Sequence, residues 1–577
     1  MSQVPPVKER FQTARPDKDG APSFKWSLTD SYLTDPVLLV TGPFDILPVV
    51  FIPGIMGSNL KAKGKDQPIW RLDEGAFGLP WNLVKSIAKK GPGERQQLLH
   101  PDRTEVDYGG AVPPAVSSEI YGPEIHRARG WGSVGEGSYH KFLLWLEQTL
   151  NPRNRNPVFW QEYYQDEATI SAPLKPGETP KMFPGIRMGM KGQPFGAESL
   201  AFDPVSSSDL IAQSKFIFPV YAEGYNWLAS NRDAGNALAK RVKNIIAENN
   251  RGSYRCSQVI LVTHSMGGLV ARACAQVPGM TDSIAGIVHG VMPAVGAAVA
   301  YRRCKVGMRD EDFGAGLVIG STGQEVTAVF AQAPGALQLL PSHLYNAEWL
   351  NIQDSDKRLV AKLPSKEEND PYKKIYLRRD RWWGLIDEEW LSPKGGAPID
   401  WDQYTSNVDS AQKFHIGLAD IYHPTTYVYY GADKKMPSFE TVTWRMVKGL
   451  PPDSRAAPDA EKVLVMSSSD LRVNGGPVDY VGGSTKFITT VTPGGGAVNS
   501  SYETSYWELH FEMQDGRGDG TVPASSGGAP VVRCKGNVKQ QFRLTGFGHE
   551  KSYQNAVAQS VTLLSLTKIA GKAKRPK

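Results

Sequence analysis

The run Val259-Ile-Leu-Val-Thr-His-Ser265-Met-Gly-Gly268 sets a serine hydroxyl where an apolar, β-branched stretch breaks into two glycines and a helix-forming segment. This is the pattern of a nucleophile elbow, a strained strand–turn–helix that lifts a serine above a sheet edge. Glycine is needed there because strand and helix backbones pass close together. The first N–H groups of the helix then face whatever the serine attacks, which suits a developing oxyanion. The usual first glycine of the motif is Thr263 here.

A serine hydroxyl is a weak nucleophile at neutral pH. It needs a base to take its proton and a carboxylate to orient that base. In elbow folds these follow in the chain order serine, acid, histidine. His289, His343, His415, His423, His510 and His549 come after the elbow. His549 stands in a Gly-Phe-Gly-His loop between a strand pattern and a final helix, the place for the base. His289 and His510 lie inside strand patterns and read as packed or surface residues. Asp519, in Gly518-Asp-Gly-Thr-Val-Pro523, sits at a strand-to-loop transition thirty residues before His549 and is the expected acid. Asp433, just after the strand pattern ending in Gly431, is the alternative acid. Upstream, Leu47-Pro-Val-Val-Phe-Ile-Pro-Gly-Ile-Met-Gly-Ser58 is an apolar run that breaks into a glycine-punctuated loop. Such a loop supplies the second oxyanion N–H. Ile55 is the first choice for that donor and Met56 the next; the other donor is Met266.

The elements around these residues alternate. Phe216–Tyr221, Val259–His264, Ile284–Gly290 and Thr425–Gly431 read as strands. A helix is expected from about Ala234, another after the elbow, and a last one from about Ser552 to Leu566. Strand–helix–strand alternation predicts an α/β fold, an α/β-hydrolase core with a mostly parallel sheet flanked by helices plus large cap or lid insertions. The core is expected in 36–60, 215–300 and 424–566. An insertion or cap fills 61–214 and contains a helix over Ser138–Leu150 with Ser138 as N-cap. A lid and second cap fill 301–423. The Ala- and Gly-rich stretch 292–341 reads either as a lid and wall of an acyl pocket or as ordinary core helices. Residues 1–35 are expected to be a flexible segment and 567–577 a basic, solvated tail.

Four cysteines in 577 residues, none in a C-x-x-C pair, give no disulfide framework. No metal-ligand cluster or cofactor motif stands out, and this chemistry needs neither. The net charge of +6 is spread along the chain, without the basic–aromatic pattern of a nucleic-acid binder. The first residues carry no apolar signal core, and no apolar run is long enough to span a bilayer. Synthesis in the cytoplasm is expected, with any export left to a dedicated machine.

Taken together, Phe51-Ile-Pro-Gly-Ile-Met-Gly-Ser58, Gly224-Tyr-Asn-Trp227, Thr263-His-Ser-Met-Gly-Gly268, Gly335-Ala-Leu-Gln-Leu-Leu-Pro341 and Gly518-Asp-Gly-Thr-Val-Pro523 resemble a branch of the α/β-hydrolase lipases. That branch contains the lecithin:cholesterol acyltransferases and the GPI inositol-deacylase-like enzymes. The resemblance implies Ser265 as nucleophile, Asp519 as acid, His549 as base and Ile55 or Met56 as oxyanion donor. It covers about half the chain. Asn226 stands where that branch often has aspartate. The size, the missing signal segment and the small apolar run after Val291 also resemble type VI secretion lipase effectors. This second likeness implies export into a target-cell periplasm, a phospholipid substrate at a membrane surface, and an immunity protein or secretion carrier as partner. The same triad would serve an amidase or acyltransferase, and an unassembled one would leave a hydrolase-like binding module.

Overall fold

The structure is a computed structural model. It describes residues 44–71, 90–114, 122–151, 196–198, 202–203, 205–213, 215–252, 254–308, 319–448, 459–473, 480–491 and 498–576, with short strands before residue 44. Most of the expected flexible segment 1–35 and much of the insertion 61–214 lie outside the described residues.

Seven strands make the central sheet: β1 (Val49–Ile52), β2 (Ala197–Glu198), β3 (Val220–Ala222), β4 (Val259–His264), β5 (Ile284–Gly290), β6 (Thr426–Gly431) and β7 (Val538–Leu544). Their order is β2-β7-β6-β5-β4-β1-β3. All neighbours run parallel except the short edge strand β2, which is antiparallel to β7. The expected α/β class and mainly parallel sheet are what the chain adopts.

Side chains alternate across a strand, so each strand feeds two layers. Val50, Ile52, Leu261 and Ile287 pack with α2 (Asn231–Glu248) and α3 (Gly267–Ala275). Val49, Phe51, Ile260, Val262 and Val288 pack on the other face with α1 (Glu136–Leu150) and α4 (Ala556–Lys572). A strand buried on both faces reads as a continuous apolar run, as β4 does.

Four expectations need correction. Helix α1 begins two residues early, capped by the extended backbone of Gly135, so Ser138 lies inside it and offers its carbonyl to the Tyr553 hydroxyl. Helix α4 begins at Ala556, because the Asn555 side chain accepts the Val557 and Ala558 N–H groups.

The helix also continues past Leu566 to Lys572, so the described part of the expected tail 567–577, residues 567–576, is not frayed. Lys568 is buried between Asp203 and Asp209, Lys574 pairs with Asp282, and Arg575 reaches the fully buried carboxylate of Asp45. Finally, part of 424–566 leaves the central sheet. Val442–Lys448, Arg472–Val473, Tyr480–Val491 and Val498–Phe511 form a second, six-stranded sheet with Leu350–Gln353 and Leu359–Leu363 of the expected second cap. The described part of 292–341 contains the short helices Val299–Val306, Gly323–Phe330 and Pro334–Leu337, whose apolar residues belong to the main core.

Burial pushes the imidazoles of His264 and His289 down to about 3, and those of His140 and His415 down to about 4. The folded protein therefore refuses protons that the unfolded chain, with histidines near 6.5, takes up. Because the folded values lie below the unfolded ones, stability holds above about pH 6.5 and falls as the pH drops toward them. Each such histidine costs about 1.2 kcal/mol between pH 7 and 5.5, on the order of 5 kcal/mol for four. Urea unfolding at the two pH values should show this drop; an unchanged midpoint would mean that these rings are solvated.

Candidate active site

Strand β4 delivers Ser265 and α3 leaves it. The serine backbone has φ +52°, a region that side-chain-bearing residues rarely adopt. Strain of this kind costs on the order of 1–3 kcal/mol and persists only where the surroundings hold it. Here the Ser265 N–H donates to the carbonyl of Gly290 at the end of β5, and the Ser265 carbonyl accepts from Gly268. Thr263, in place of glycine, is accommodated by pairing its hydroxyl with His289 at 3.0 Å.

His549 lies in the loop between β7 and α4. Its Nε2 is 2.8 Å from the Ser265 hydroxyl and its Nδ1 is 2.8 Å from Asp519 Oδ2. An ionised carboxylate only accepts, so Nδ1 carries the proton. Nε2 is then the acceptor for the serine O–H. A backbone bond from the His549 N–H to the Asp519 carbonyl, 2.7 Å, ties the two loops together independently of the side chains.

Asp519 follows the strand Gly516–Gly518 and is buried. Its Oδ1 accepts the N–H groups of Thr521 and Val522 at 3.1 and 2.7 Å, which fixes the carboxylate plane and leaves Oδ2 for the imidazole. The alternative acid, Asp433, is not at the imidazole. It pairs across the ribbon with Gly518, and its carboxylate accepts the N–H groups of Lys435 and Gly546, which together hold it below the usual carboxylate range. It braces the backbone of the His549 loop.

The loop after β1 turns over Gly54–Gly57, closed by a 3.1 Å bond from the Gly57 N–H to the Gly54 carbonyl. Met56 takes φ +65°, as the third residue of a type II turn requires, and its carbonyl accepts the Trp70 indole N–H. The turn lies against the elbow: a Cβ on Gly54 would stand 3.0 Å from Ser265 Cβ and from His264 Nδ1. The N–H groups of Ile55 and Met266 make no hydrogen bond to protein among the described residues. Asn226 is used as an amide: its Nδ2 donates to the carbonyls of Pro101 and Thr104, which a carboxylate could not do. Among the described residues no His, Cys, Asp and Glu gather as a metal-ligand set.

Two residues of this region escape motif reading. Tyr139, from α1, places its hydroxyl 3.1 Å from His264 Nδ1 and accepts the Gly54 N–H. His264 reaches back to the His549 carbonyl at 3.0 Å. Adjacency to the serine was the one available signal for His264; for Tyr139 there was none.

A serine held on a strained strand-to-helix turn in a parallel sheet, with an aspartate and a histidine on the loops that follow later strands, defines the α/β-hydrolase class. Comparisons agree. Residues 231–306 match the family model described as the PGAP1-like alpha/beta domain. A chain of the crystal structure of the Tle4–Tli4 complex is similar to this protein along nearly its whole length. It shares 28% identity, covers 92% of this chain and 99% of its own, and superposes with a TM-score of 0.66. Phospholipase PlaB from Legionella pneumophila is matched at 10% identity over 55% of this chain and 75% of its own, with a TM-score of 0.14, too low to bear on the fold. No curated protein matches the chain significantly. The chain has the α/β-hydrolase fold.

Proposed function

We propose that the protein is a serine esterase that hydrolyses acyl esters of phospholipids. The observation that carries this reading is the unbroken line from Asp519 Oδ2 through both nitrogens of His549 to the Ser265 hydroxyl. In the proposed reaction His549 takes the serine proton as Ser265 Oγ attacks the ester carbonyl. The N–H groups of Ile55 and Met266 stabilise the oxyanion. The tetrahedral adduct collapses, and His549 returns the proton to the departing alcohol oxygen. Water, deprotonated by the same imidazole, then releases the fatty acid and restores the serine. No cofactor enters these steps.

The lipid substrate is supported by the motif resemblance and by the near full-length likeness to a chain of the Tle4–Tli4 complex. That likeness also supports a protein partner, since the similar chain was solved in a complex; a secreted effector paired with an immunity protein is what the resemblance to type VI secretion lipase effectors adds. Among the described residues no helix is long and apolar enough to cross a membrane. Contact with lipid at a membrane surface is what the lipase-effector resemblance adds to this reading. The test is incubation with mixed phospholipid vesicles and mass spectrometry of the products. Equimolar lysophospholipid and free fatty acid are expected. Intact phospholipid with turnover of amides would overturn the esterase assignment, and lysophospholipid with the acyl chain on an added alcohol in place of free fatty acid would overturn hydrolysis in favour of acyl transfer.

A further inference from the structure

The hydrogen bonds around His264 join three segments that are far apart in sequence. The Gly54 N–H, in the turn that carries Ile55, donates to the Tyr139 hydroxyl. The Tyr139 hydroxyl meets His264 Nδ1, and His264 Nε2 meets the main-chain carbonyl of His549. The proton order along this chain is fixed. A carbonyl only accepts, so Nε2 of His264 carries hydrogen. Burial holds that ring neutral, so Nδ1 offers a lone pair. Tyr139 must therefore donate its O–H to Nδ1 and use its oxygen to accept from Gly54. Every group is satisfied in one direction only.

The packing leaves little freedom. Tyr139 lies against Phe51 and Tyr553, with ring centroids 4.9 and 5.0 Å away, and Tyr553 stands edge-on to His264 at 5.0 Å. A Cβ on Gly57 would sit 2.6 Å from the Tyr139 hydroxyl, so the turn closes directly on it. The His264 and His549 rings are 5.3 Å apart. A charged His264 would oppose the imidazolium that forms on His549 during acyl transfer, and the neutral ring avoids this.

We propose that Tyr139 and His264 are positioning residues that hold the turn bearing the Ile55 N–H and the loop bearing His549 at the two ends of one directional chain of hydrogen bonds. This rests on the reading of Ser265 as nucleophile. Neither side chain touches substrate. Tyr139 acts on oxyanion stabilisation through Gly54, and His264 acts on proton transfer through the His549 backbone. Because the bonds share groups, loss of one loosens both loops.

The test uses the full chain and a fluorophosphonate probe, with kcat, KM and the melting temperature measured beside it. Tyr139→Phe and His264→Leu should each slow phosphonylation and lower kcat about tenfold to a hundredfold, the range expected for orphaning a buried hydrogen-bonding group. KM should stay within about twofold. His264→Gln, whose amide N–H reaches the His549 carbonyl, should recover most of the loss. The double variant Tyr139→Phe/His264→Leu should be about as slow as the slower single one, as members of one chain are not additive. Leu146→Ala, buried on the same helix and outside the chain, should lower the melting temperature and leave both rates at the wild-type level. Wild-type labelling rates in Tyr139→Phe, or an equal slowing in Leu146→Ala, would overturn the proposal while leaving the serine reading intact. Wild-type protein that takes no label overturns the serine reading and this proposal with it.

Discussion

Ser265→Ala is expected to abolish ester turnover, with a loss on the order of a millionfold, the scale measured when a triad serine is removed from another hydrolase. The fold should survive. The side chain is small, the φ of +52° is no harder for alanine than for serine, and the backbone bonds to Gly290 and Gly268 remain. What disappears is the proposed nucleophile, the hydroxyl oxygen 2.8 Å from His549 Nε2. Turnover of a chromogenic ester, fluorophosphonate labelling and thermal unfolding of the same preparation decide the matter. A variant that still hydrolyses ester at more than a trace, with a normal melting curve, would move the chemistry elsewhere in the chain.

The second large effect separates two aspartates that are neighbours on one ribbon. Asp519→Asn should lower kcat by about four orders of magnitude, as the same change does in serine proteases. The local bonds say why. Two N–H groups, from Thr521 and Val522, point at Oδ1, so an asparagine there must keep its oxygen facing them. Its NH2 group is thereby turned toward His549 Nδ1. The imidazole must accept from it, which moves the ring proton to Nε2, and a protonated Nε2 has no lone pair for the serine proton. Asp433→Asn lacks this consequence. Its carboxylate faces two backbone N–H groups and no imidazole, and a loss within about tenfold is expected from slack in the His549 loop. Equal losses in the two variants, read as kcat on one substrate, would refute the assignment of the acid.

The parts of the molecule legible in the sequence were those written locally. The elbow is a contiguous pattern, and a strand buried on both faces can hardly be written other than as Val259-Ile-Leu-Val. Asp519 and His549, the proposed acid and base, could be singled out because the fold orders such groups after the serine and each lies on a loop that follows a strand. The choice between Asp519 and Asp433 was less so, since the two are cross-strand neighbours by way of Gly518 and either position borders the His549 loop. Tyr139 was beyond reach. It lies 125 residues before its partner His264, inside a helix whose apolar face also accounts for it. The C-terminal lysines and arginine misled for a related reason: the sequence shows charge, while the partners Asp45, Asp203, Asp209 and Asp282 are hundreds of residues away. The second sheet was not foreseen as a sheet of its own because its strands come from two separated segments that only the folded chain brings side by side.

The wide spacing of the three candidate residues has a consequence in time. His549 follows Ser265 by 284 residues. At the usual pace of synthesis, roughly 5–20 residues per second, about 15 to 60 seconds pass between the emergence of the two. During that interval the elbow strand and its neighbours are on hand, yet no imidazole stands beside the hydroxyl. A ribosome making this chain therefore holds the serine without its proposed base throughout that interval, and the two meet only once the loop after β7 has emerged. The order of the parts along the chain would delay the proposed chemistry until the sheet can hold it.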